Sequence, residues 1–229
     1  VILTCVRCEQ QLDLRCKLEN RTFHEVVLLK NQRIQVLDLS RGPVHHFGGW
    51  LSRAFDVFRG PLYTVGRYNE VRGAMYDELV TNVETVGGYS GKRNIHMGID
   101  IGAPAGTPVF SFADGEIFEF GYNPARGDYG HVIITQHRIN GTDLWALYGH
   151  LSGPSMARKF RGQAVRAGEL LGWLGAPDDN GGWPPHVHFQ LSLVRPQGHD
   201  MPGVVDAASR ERALRDFPDP RLVLGPLHD

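Results

Sequence analysis

The stretch HMGIDIGAPAGTPVFSFADGEI, residues 96–117, sets the pattern for most of this chain. Within it, short hydrophobic runs are separated by glycine or proline every few residues. The same texture continues through further short runs at 131–137, 144–150, 170–174 and 186–194. Many short strands punctuated by turn residues indicate an antiparallel sheet, a sandwich or a barrel.

The spacing of hydrophobic and turn residues is different before and after this pattern, which predicts that the chain has four parts. They are an accessory strand-rich segment, a connecting region with a helix, a main domain and a C-terminal tail, at residues 1–48, 49–86, 87–195 and 196–229. In the tail, residues 204–215 predict a short helix that begins at Asp206 or Ser209. In the first two parts, alternating runs at 25–29 and 33–39 predict a strand, a turn and a strand, and residues 69–79 predict a helix.

Composition narrows the range of partners. The 229 residues are 41% hydrophobic and 21% charged, with a formal net charge of −1 and no long blocks of one sign. We therefore expect a globular protein with a substantial core and no nucleic-acid partner. No apolar run approaches the roughly 18 residues that a membrane span needs, and no signal peptide is recognisable. A sequence that opens with Val1 suggests a fragment of a larger fusion chain or a processed product, so its location cannot be read.

All three cysteines, Cys5, Cys8 and Cys16, lie in the first sixteen residues. The other 213 residues therefore cannot contain a disulfide among themselves. Together with His24, the three thiols could form a small second zinc site. We favour three ordinary thiols instead, because a zinc module usually shows a second close pair of ligands.

Five residues are candidates for metal binding or catalysis. His96 and Asp100 are four apart, and His186 and His188 are two apart, so each pair would share one face of a strand. Two histidines and one carboxylate suit a catalytic zinc site, which uses three protein ligands and leaves one position open. Alone, a His-x-His pair on an apolar strand is more often a pair of buried, hydrogen-bonded imidazoles. His150, at the end of another strand pattern, makes the joint occurrence hard to explain by chance.

Residues 93–193 resemble the catalytic domain of the lysostaphin-type zinc metalloendopeptidases, which cut peptide cross-links of bacterial peptidoglycan. The resemblance rests on segments in the family's order, namely HMGIDIGAPAGTPVFSFADGEI, YGHVIITQH, LYGHLS, GQAVRAGELLGWLG and PPHVHFQL. It implies a mainly β fold, with an antiparallel sheet folded into an open sandwich or barrel-like domain and a few peripheral helices. It also implies an extracytoplasmic place of action, which is the family precedent.

The resemblance assigns roles to the five residues. It implies that one zinc per chain is held by His96, Asp100 and His188, and that His150 and His186 are the catalytic histidines. The substrate would then be a peptide or a peptidoglycan-like polymer. The division of acid and base roles between His150 and His186 stays open, because protonation of each would depend on the other.

Two alternatives and two departures from the family stay open. The chain could be a zinc-containing binding module of the same fold without hydrolysis, or a phosphate-carrying relative that would not need Asp100. Latent family members place an asparagine on the zinc, but no residue here matches that asparagine, and Asn69, Asn82 and Asn94 are merely available. Residues 178–185 replace a short turn usual in cell-wall enzymes, and we predict that they border the substrate cleft. There, Trp183 either contacts substrate or packs under the loop.

Overall fold

The protein is seen in a computed structural model, which describes residues 21–40, 60–73 and 93–227 together with a few isolated residues before and between them. Those isolated residues are Leu14, Leu18, Phe55, Asp56, Gly88 and Tyr89. In this part of the chain the fold is mainly β, as predicted. The strands are β1 Arg33–Val36, β2 Phe55–Asp56, β3 Gly60–Gly66, β4 Ile95–His96, β5 Ile99–Gly102, β6 Pro108–Phe110, β7 Gly115–Asn123, β8 Gly130–Ile139, β9 Thr142–Leu151, β10 Ala164–Val165, β11 Leu170–Trp173, β12 His186–Ser192 and β13 Val204–Val205.

One large sheet organises the molecule. Its strand order is β1-β3-β5-β12-β9-β8-β7-β10, with β2 beside β3. Every pair in it is antiparallel except β1 with β3, which run parallel, so the sheet is mixed. The path ends at β1 and β10, so the described strands form an open sheet and do not close into a barrel. Two small ladders, β6 with β11 and β4 with β13, lie beside it.

The longest hairpin follows from its turn residues. Strands β8 and β9 are joined by Asn140 and Gly141, which both have positive φ, 48° and 79°. An Asn-Gly pair adopts such angles easily, and the resulting two-residue turn matches the twist of the flanking strands. Ile139 therefore pairs directly with Thr142, and the register is set along ten residues of each strand.

Alternation along the central strands separates the core from the polar groups. The side chains of Ile99 and Ile101 on β5, and of Val187 and Phe189 on β12, lie in the main hydrophobic core. Their neighbours in sequence point to the opposite face, because successive side chains of a strand alternate. A second cluster that includes Leu147 lies apart from that core, so the middle of the sheet is buried.

Of the two strands predicted at residues 25–29 and 33–39, only the second forms. Residues 33–36 form β1, but residues 25–29 do not form the strand predicted beside it. The backbone there lies along β6 instead, where the Phe110 amide donates to the Val26 carbonyl at 2.9 Å. Burial of Val26, Val27 and Leu29 in the core explains this placement, which local alternation alone could not reveal.

The helix predicted at residues 69–79 is wrong for residues 69–72, whereas Gly73 is helical and residues 74–79 lie outside the described residues. Residues 69–72 run beside β4: the Asn69 amide donates to the His96 carbonyl and the Arg72 amide to the Asn94 carbonyl, both at 2.7 Å. Pairing with a distant strand therefore replaces the local helical preference.

Short helices complete the described chain. A 3₁₀ turn spans Gly153–Met156, and α1 and α2 span Arg210–Asp216 and Arg221–Leu224. Helix α1 confirms a helix in the tail, and Ser209 is at its N-cap, one of the two predicted starts, whereas residues 204–205 at the edge of the predicted range form β13. None of the helices described here has the length and apolarity needed to cross a membrane.

Candidate active site

Strands β5 and β12 place two of the candidate ligands side by side. In their antiparallel register, His188 lies directly opposite Asp100, and His186 lies opposite Gly102. Since the isoleucines of β5 and the apolar residues of β12 face the main core, Asp100, His186 and His188 share the other face. All three are buried.

His96 reaches the same point from a different strand. It ends β4, and Asp100 lies on β5 after a bend at Gly98, so the two residues do not share one strand as their spacing had suggested. The bend requires glycine because the His188 ring leaves no space for a side chain at this position. A Cβ on Gly98 would lie 2.5 Å from Cε1 and 2.6 Å from Nε2 of His188.

Three side-chain atoms converge at this point. His96 Nε2 lies 2.9 Å from His188 Nδ1, and Asp100 Oδ1 lies 3.2 Å from the first nitrogen and 3.1 Å from the second. Among the described residues, these three form a group of ligand atoms that could hold a metal ion. The structure thus brings together the residues proposed from the sequence as metal ligands.

The hydrogen bonds of the two imidazoles determine which nitrogens carry protons. His96 Nδ1 donates to the carbonyl oxygen of Arg67 at 2.9 Å. His188 Nε2 donates to Oε1 of Gln190 at 3.0 Å, and the amide group of Gln190 is turned this way by a bond from its Nε2 to the Pro202 carbonyl. In the neutral rings, His96 Nε2 and His188 Nδ1 therefore both carry lone pairs, although they face each other.

This arrangement fits a metal better than a hydrogen-bonded cluster. Two lone pairs and a carboxylate oxygen pointing at one another repel unless a cation lies among them. Ligand atoms at about 2.0–2.1 Å from zinc in a tetrahedral arrangement lie about 3.3 Å apart, close to the separations of these three atoms. Nitrogen and carboxylate oxygen are also the ligand types that zinc takes in catalytic sites.

Electrostatics keep these groups in their ligating forms. Burial, together with the positive charge of Arg72, lowers the pKa of His96 to about 4, so this ring is neutral at pH 7. Burial alone would raise the pKa of Asp100. The neighbouring His96 and the Arg72 guanidinium nevertheless hold the pKa of Asp100 well below its usual range.

His150 and His186 form a second pair beside the cluster. Their ring centroids are 4.2 Å apart, and His186 Nε2 lies 3.8 Å from Asp100 Oδ1. His186 Nδ1 donates to the Pro184 carbonyl at 2.7 Å, and His150 Nδ1 donates to the Asn180 carbonyl at 2.9 Å. Each carbonyl fixes the tautomer, so Nε2 of each ring carries the lone pair.

Both rings are also neutral at pH 7. Burial and the neighbouring His186 ring lower the pKa of His150 well below its usual range, and burial likewise lowers the pKa of His186. His150 has a positive φ of 61°, a conformation that is uncommon for residues other than glycine and is often found at functional sites. A neutral imidazole can take up a proton at Nε2 and release it again.

The loop before β12 positions His150 through Asn180. The Asn180 side chain is fully buried, and its amide donates to the Gly175 and Trp183 carbonyls while its Oδ1 accepts from the Trp183 amide. These bonds fix the backbone of residues 175–183, and with it the carbonyl that orients His150. The loop is therefore part of the site's framework.

Trp183 packs within this loop. Its side chain is only 5% exposed and its ring centroid lies 6.3 Å from that of His150. Of the two roles left open by the sequence, burial favours packing.

We expect Trp183→Ala to destabilise the fold by about 3–5 kcal/mol and to lower the thermal midpoint without changing the ratio of specificity constants between two peptides. An unchanged midpoint with an altered ratio would refute this. Trp173→Ala, at a more exposed tryptophan of β11, is the control and should lower the midpoint less.

Gly98 allows a test of the cluster that removes no ligand. We expect Gly98→Ala to displace the His188 ring and to weaken zinc binding by at least about tenfold, the lower end of the loss seen when support for a ligand is removed. The measurement is competition with a chelator of known affinity. Gly73→Ala is the control, because a Cβ there would meet only one atom of the described residues, at 4.0 Å, and it should leave affinity unchanged. Equal affinities in the two variants would contradict the proposed position of the metal.

Several residues of the site were missed by sequence reasoning. Gln190 could have been found, because it lies two residues after His188 and so shares its face of β12. Tyr129, Arg72 and Asn180 gave no such signal. The Tyr129 ring lies 5.1 Å from that of His188, in space that Gly149 leaves by having no side chain, since a Cβ there would lie 2.7 Å from the Tyr129 ring.

Other candidates from the sequence lie elsewhere or outside the described residues. Asn69 Oδ1 accepts a hydrogen bond from Arg210 at 2.9 Å. This bond gives no support to a role of Asn69 as a ligand of the zinc. Asn82 and the three cysteines, Cys5, Cys8 and Cys16, fall outside the described residues. Of the second proposed zinc site only His24 is described, and its Nδ1 bonds the Glu25 carbonyl.

The chain is similar in sequence to known peptidases. Residues 94–201 match the model of Peptidase family M23. A DD-carboxypeptidase/endopeptidase of Neisseria meningitidis serogroup B is 38% identical over 99 residues, which are 43% of this chain and 20% of that protein. An L-Ala–D-Glu endopeptidase of Bacillus subtilis is 35% identical over 109 residues, 45% of this chain and 31% of that protein. The catalytic domain of lysostaphin from Staphylococcus simulans is 25% identical with a TM-score of 0.38, over 56% of this chain and 84% of that one. The matched region thus spans a minor part of the two longer relatives.

Proposed function

We propose that the chain is a zinc-dependent endopeptidase that hydrolyses a peptide-type amide bond, a proposal supported by the match of residues 94–201 to the model of Peptidase family M23. The observation that carries the proposal is the convergence of His96 Nε2, Asp100 Oδ1 and His188 Nδ1, all 2.9–3.2 Å apart, beside two further imidazoles. Zinc held by these three residues would supply Lewis acidity that polarises the scissile carbonyl and acidifies a water molecule.

His150 and His186 are proposed to move the protons. Hydrolysis of an amide takes one proton from the attacking water and delivers one to the leaving nitrogen. Nε2 of either ring carries the lone pair that can accept the first proton, and the protonated ring can then donate it to the leaving amine. Because the ring centroids are 4.2 Å apart, the pair is expected to hold one proton at a time.

Peptides of peptidoglycan are the proposed substrate class. This proposal is supported by the lysostaphin-type motifs and by the Bacillus relative, whose name specifies a bond between L-Ala and D-Glu. The proposed place of action is therefore outside the cytoplasm, where peptidoglycan lies. The loop at 178–185 is proposed to border the substrate cleft, since it leads directly into His186. The four-part division of the chain, with the metallopeptidase domain at 87–195, is likewise a proposal.

The test is hydrolysis by the purified chain. The zinc-loaded protein is incubated with purified peptidoglycan and with peptides that contain D-amino acids, and new amino termini are identified by mass spectrometry. We expect cleavage that a chelator abolishes and added zinc restores. Binding to peptidoglycan without cleavage would instead support the non-hydrolytic module, and cleavage unaffected by removal of the metal would overturn the zinc mechanism.

A further inference from the structure

A buried guanidinium lies immediately behind the proposed metal ligands. Arg72 is 1% exposed and lies between two carboxylates. Its Nε donates to Glu70 Oε2 at 2.8 Å, and one terminal nitrogen donates to Asp100 Oδ2 at 2.7 Å. The other oxygen of Glu70 accepts the Leu39 amide at 3.0 Å. A continuous chain of hydrogen bonds therefore runs from residue 39 to the proposed ligand Asp100.

This chain of bonds gives the two oxygens of Asp100 different partners. Oδ1 faces His96 and His188, and Oδ2 is held by Arg72. Turning the carboxylate would break a buried, charge-assisted hydrogen bond, which is among the stronger interactions available to it. The backbone also leaves little room there, because a Cβ on Gly66 would lie 2.8 Å from Arg72 and 3.2 Å from Asp100 Oδ2.

The charges of the network suit a cation site. The formal charges of Glu70, Arg72 and Asp100, which are joined by salt bridges, sum to one negative charge. Burying three charges is costly, and similar networks can often be replaced by apolar residues without loss of stability. A network with this cost suggests a role other than stability. Arg72 contacts the cluster directly at Asp100 Oδ2. A terminal nitrogen of Arg72 also donates to the Arg67 carbonyl at 3.4 Å, the carbonyl that accepts a hydrogen bond from His96 Nδ1.

We propose that Arg72 is a positioning residue for the metal site. By bonding Oδ2 of Asp100, Arg72 leaves only Oδ1 of Asp100 available to the metal, and through Glu70 it links the site to the backbone amide of residue 39. This inference rests on the proposed function in one respect, that His96, Asp100 and His188 hold the metal. Arg72, Glu70 and Leu39 all precede residues 94–201, the part that matches the family model. The matched region alone therefore lacks a component of its own metal site.

The experiment uses cobalt as the probe, because the intensity of its visible absorption reports the coordination number. Wild type and Arg72→Met are loaded with Co²⁺ as full chains, and zinc affinity is measured by competition with a chelator. In Arg72→Met, Asp100 Oδ2 is released to the metal, so we expect a weaker cobalt absorption and zinc affinity lower by about 10- to 100-fold. Arg72→Lys should give an intermediate result, since one ammonium keeps the charge but cannot bond both carboxylates in the same fork geometry.

The matched control is Arg138→Met. Arg138 also donates to an aspartate, Asp143, at 2.7 Å, but this pair lies on the surface of the β8–β9 hairpin. We expect its cobalt spectrum and zinc affinity to equal those of wild type. Wild-type values in Arg72→Met with only a lower thermal midpoint would show a purely structural role and overturn the proposal.

Two further outcomes are decisive. If Arg72→Met does not fold, Arg72→Lys decides by the same two readouts, and a wild-type spectrum with wild-type affinity there overturns the proposal. The proposed function fails separately: a wild type that binds cobalt and zinc through this site but cleaves no substrate refutes the peptidase, while the effect of Arg72 on the spectrum stands.

Discussion

Replacing His188 with alanine is expected to abolish stoichiometric zinc binding. The variant loses one of three converging ligand atoms and leaves Asp100 and His96 without a third partner. Loss of an outer partner of a ligand typically costs about 10- to 100-fold in metal affinity, so loss of the ligand itself should cost more. Elemental analysis after dialysis against a fixed low zinc concentration is the measurement, and wild type should retain about one zinc per chain.

His199→Ala is the control for this experiment. His199 lies beside Gly121 on β7, outside the cluster, and its loss should leave one zinc in place. Full zinc content and affinity in His188→Ala would remove His188 from the metal site.

Replacing His150 or His186 with alanine is expected to leave zinc in place and to remove most of the hydrolysis. Neither ring belongs to the three-atom cluster, yet both lie beside it. Assistance by a general acid or base is typically worth about 10²- to 10⁴-fold, which is the loss we expect in kcat/KM for each variant. Steady-state kinetics on a single cleavable peptide, with zinc content measured on the same samples, provides the test.

The double variant sharpens this prediction. If the two rings share one proton in the reaction, losing both should cost little more than losing one, because residues that act as a unit are not additive. Additive losses would indicate two independent roles. Wild-type turnover in both single variants would contradict any catalytic part for these histidines.

The main domain was the most predictable part of the fold. Runs such as 131–137 and 144–150 form β8 and β9 within a few residues of the predicted limits, because period-two patterning and glycine turns act locally. Residues 69–72 and 25–29 were mispredicted because their structure depends on distant partners, β4 and β6. A single sequence carries no local record of such pairings.

The candidate site, like the fold, was predictable where it depends on local spacing and not where it depends on contacts between distant residues. Even spacing correctly indicated that His186 and His188 share a face, because both lie on β12. The same reasoning did not foresee that His96 and Asp100 lie on two strands joined by a bend at Gly98. Nor could spacing identify Arg72, which precedes Asp100 by 28 residues and meets it only through the fold. The roles of all five site residues stay predictions until metal and activity are measured.

The most direct test of this account is a crystal structure of the zinc-loaded protein with anomalous scattering measured on both sides of the zinc absorption edge. We predict one zinc peak per chain, about 2.0–2.2 Å from His96 Nε2, Asp100 Oδ1 and His188 Nδ1. Asp100 Oδ2 should remain bonded to Arg72. A peak bound by other residues, or no peak at this cluster in crystals grown with excess zinc, would contradict the account.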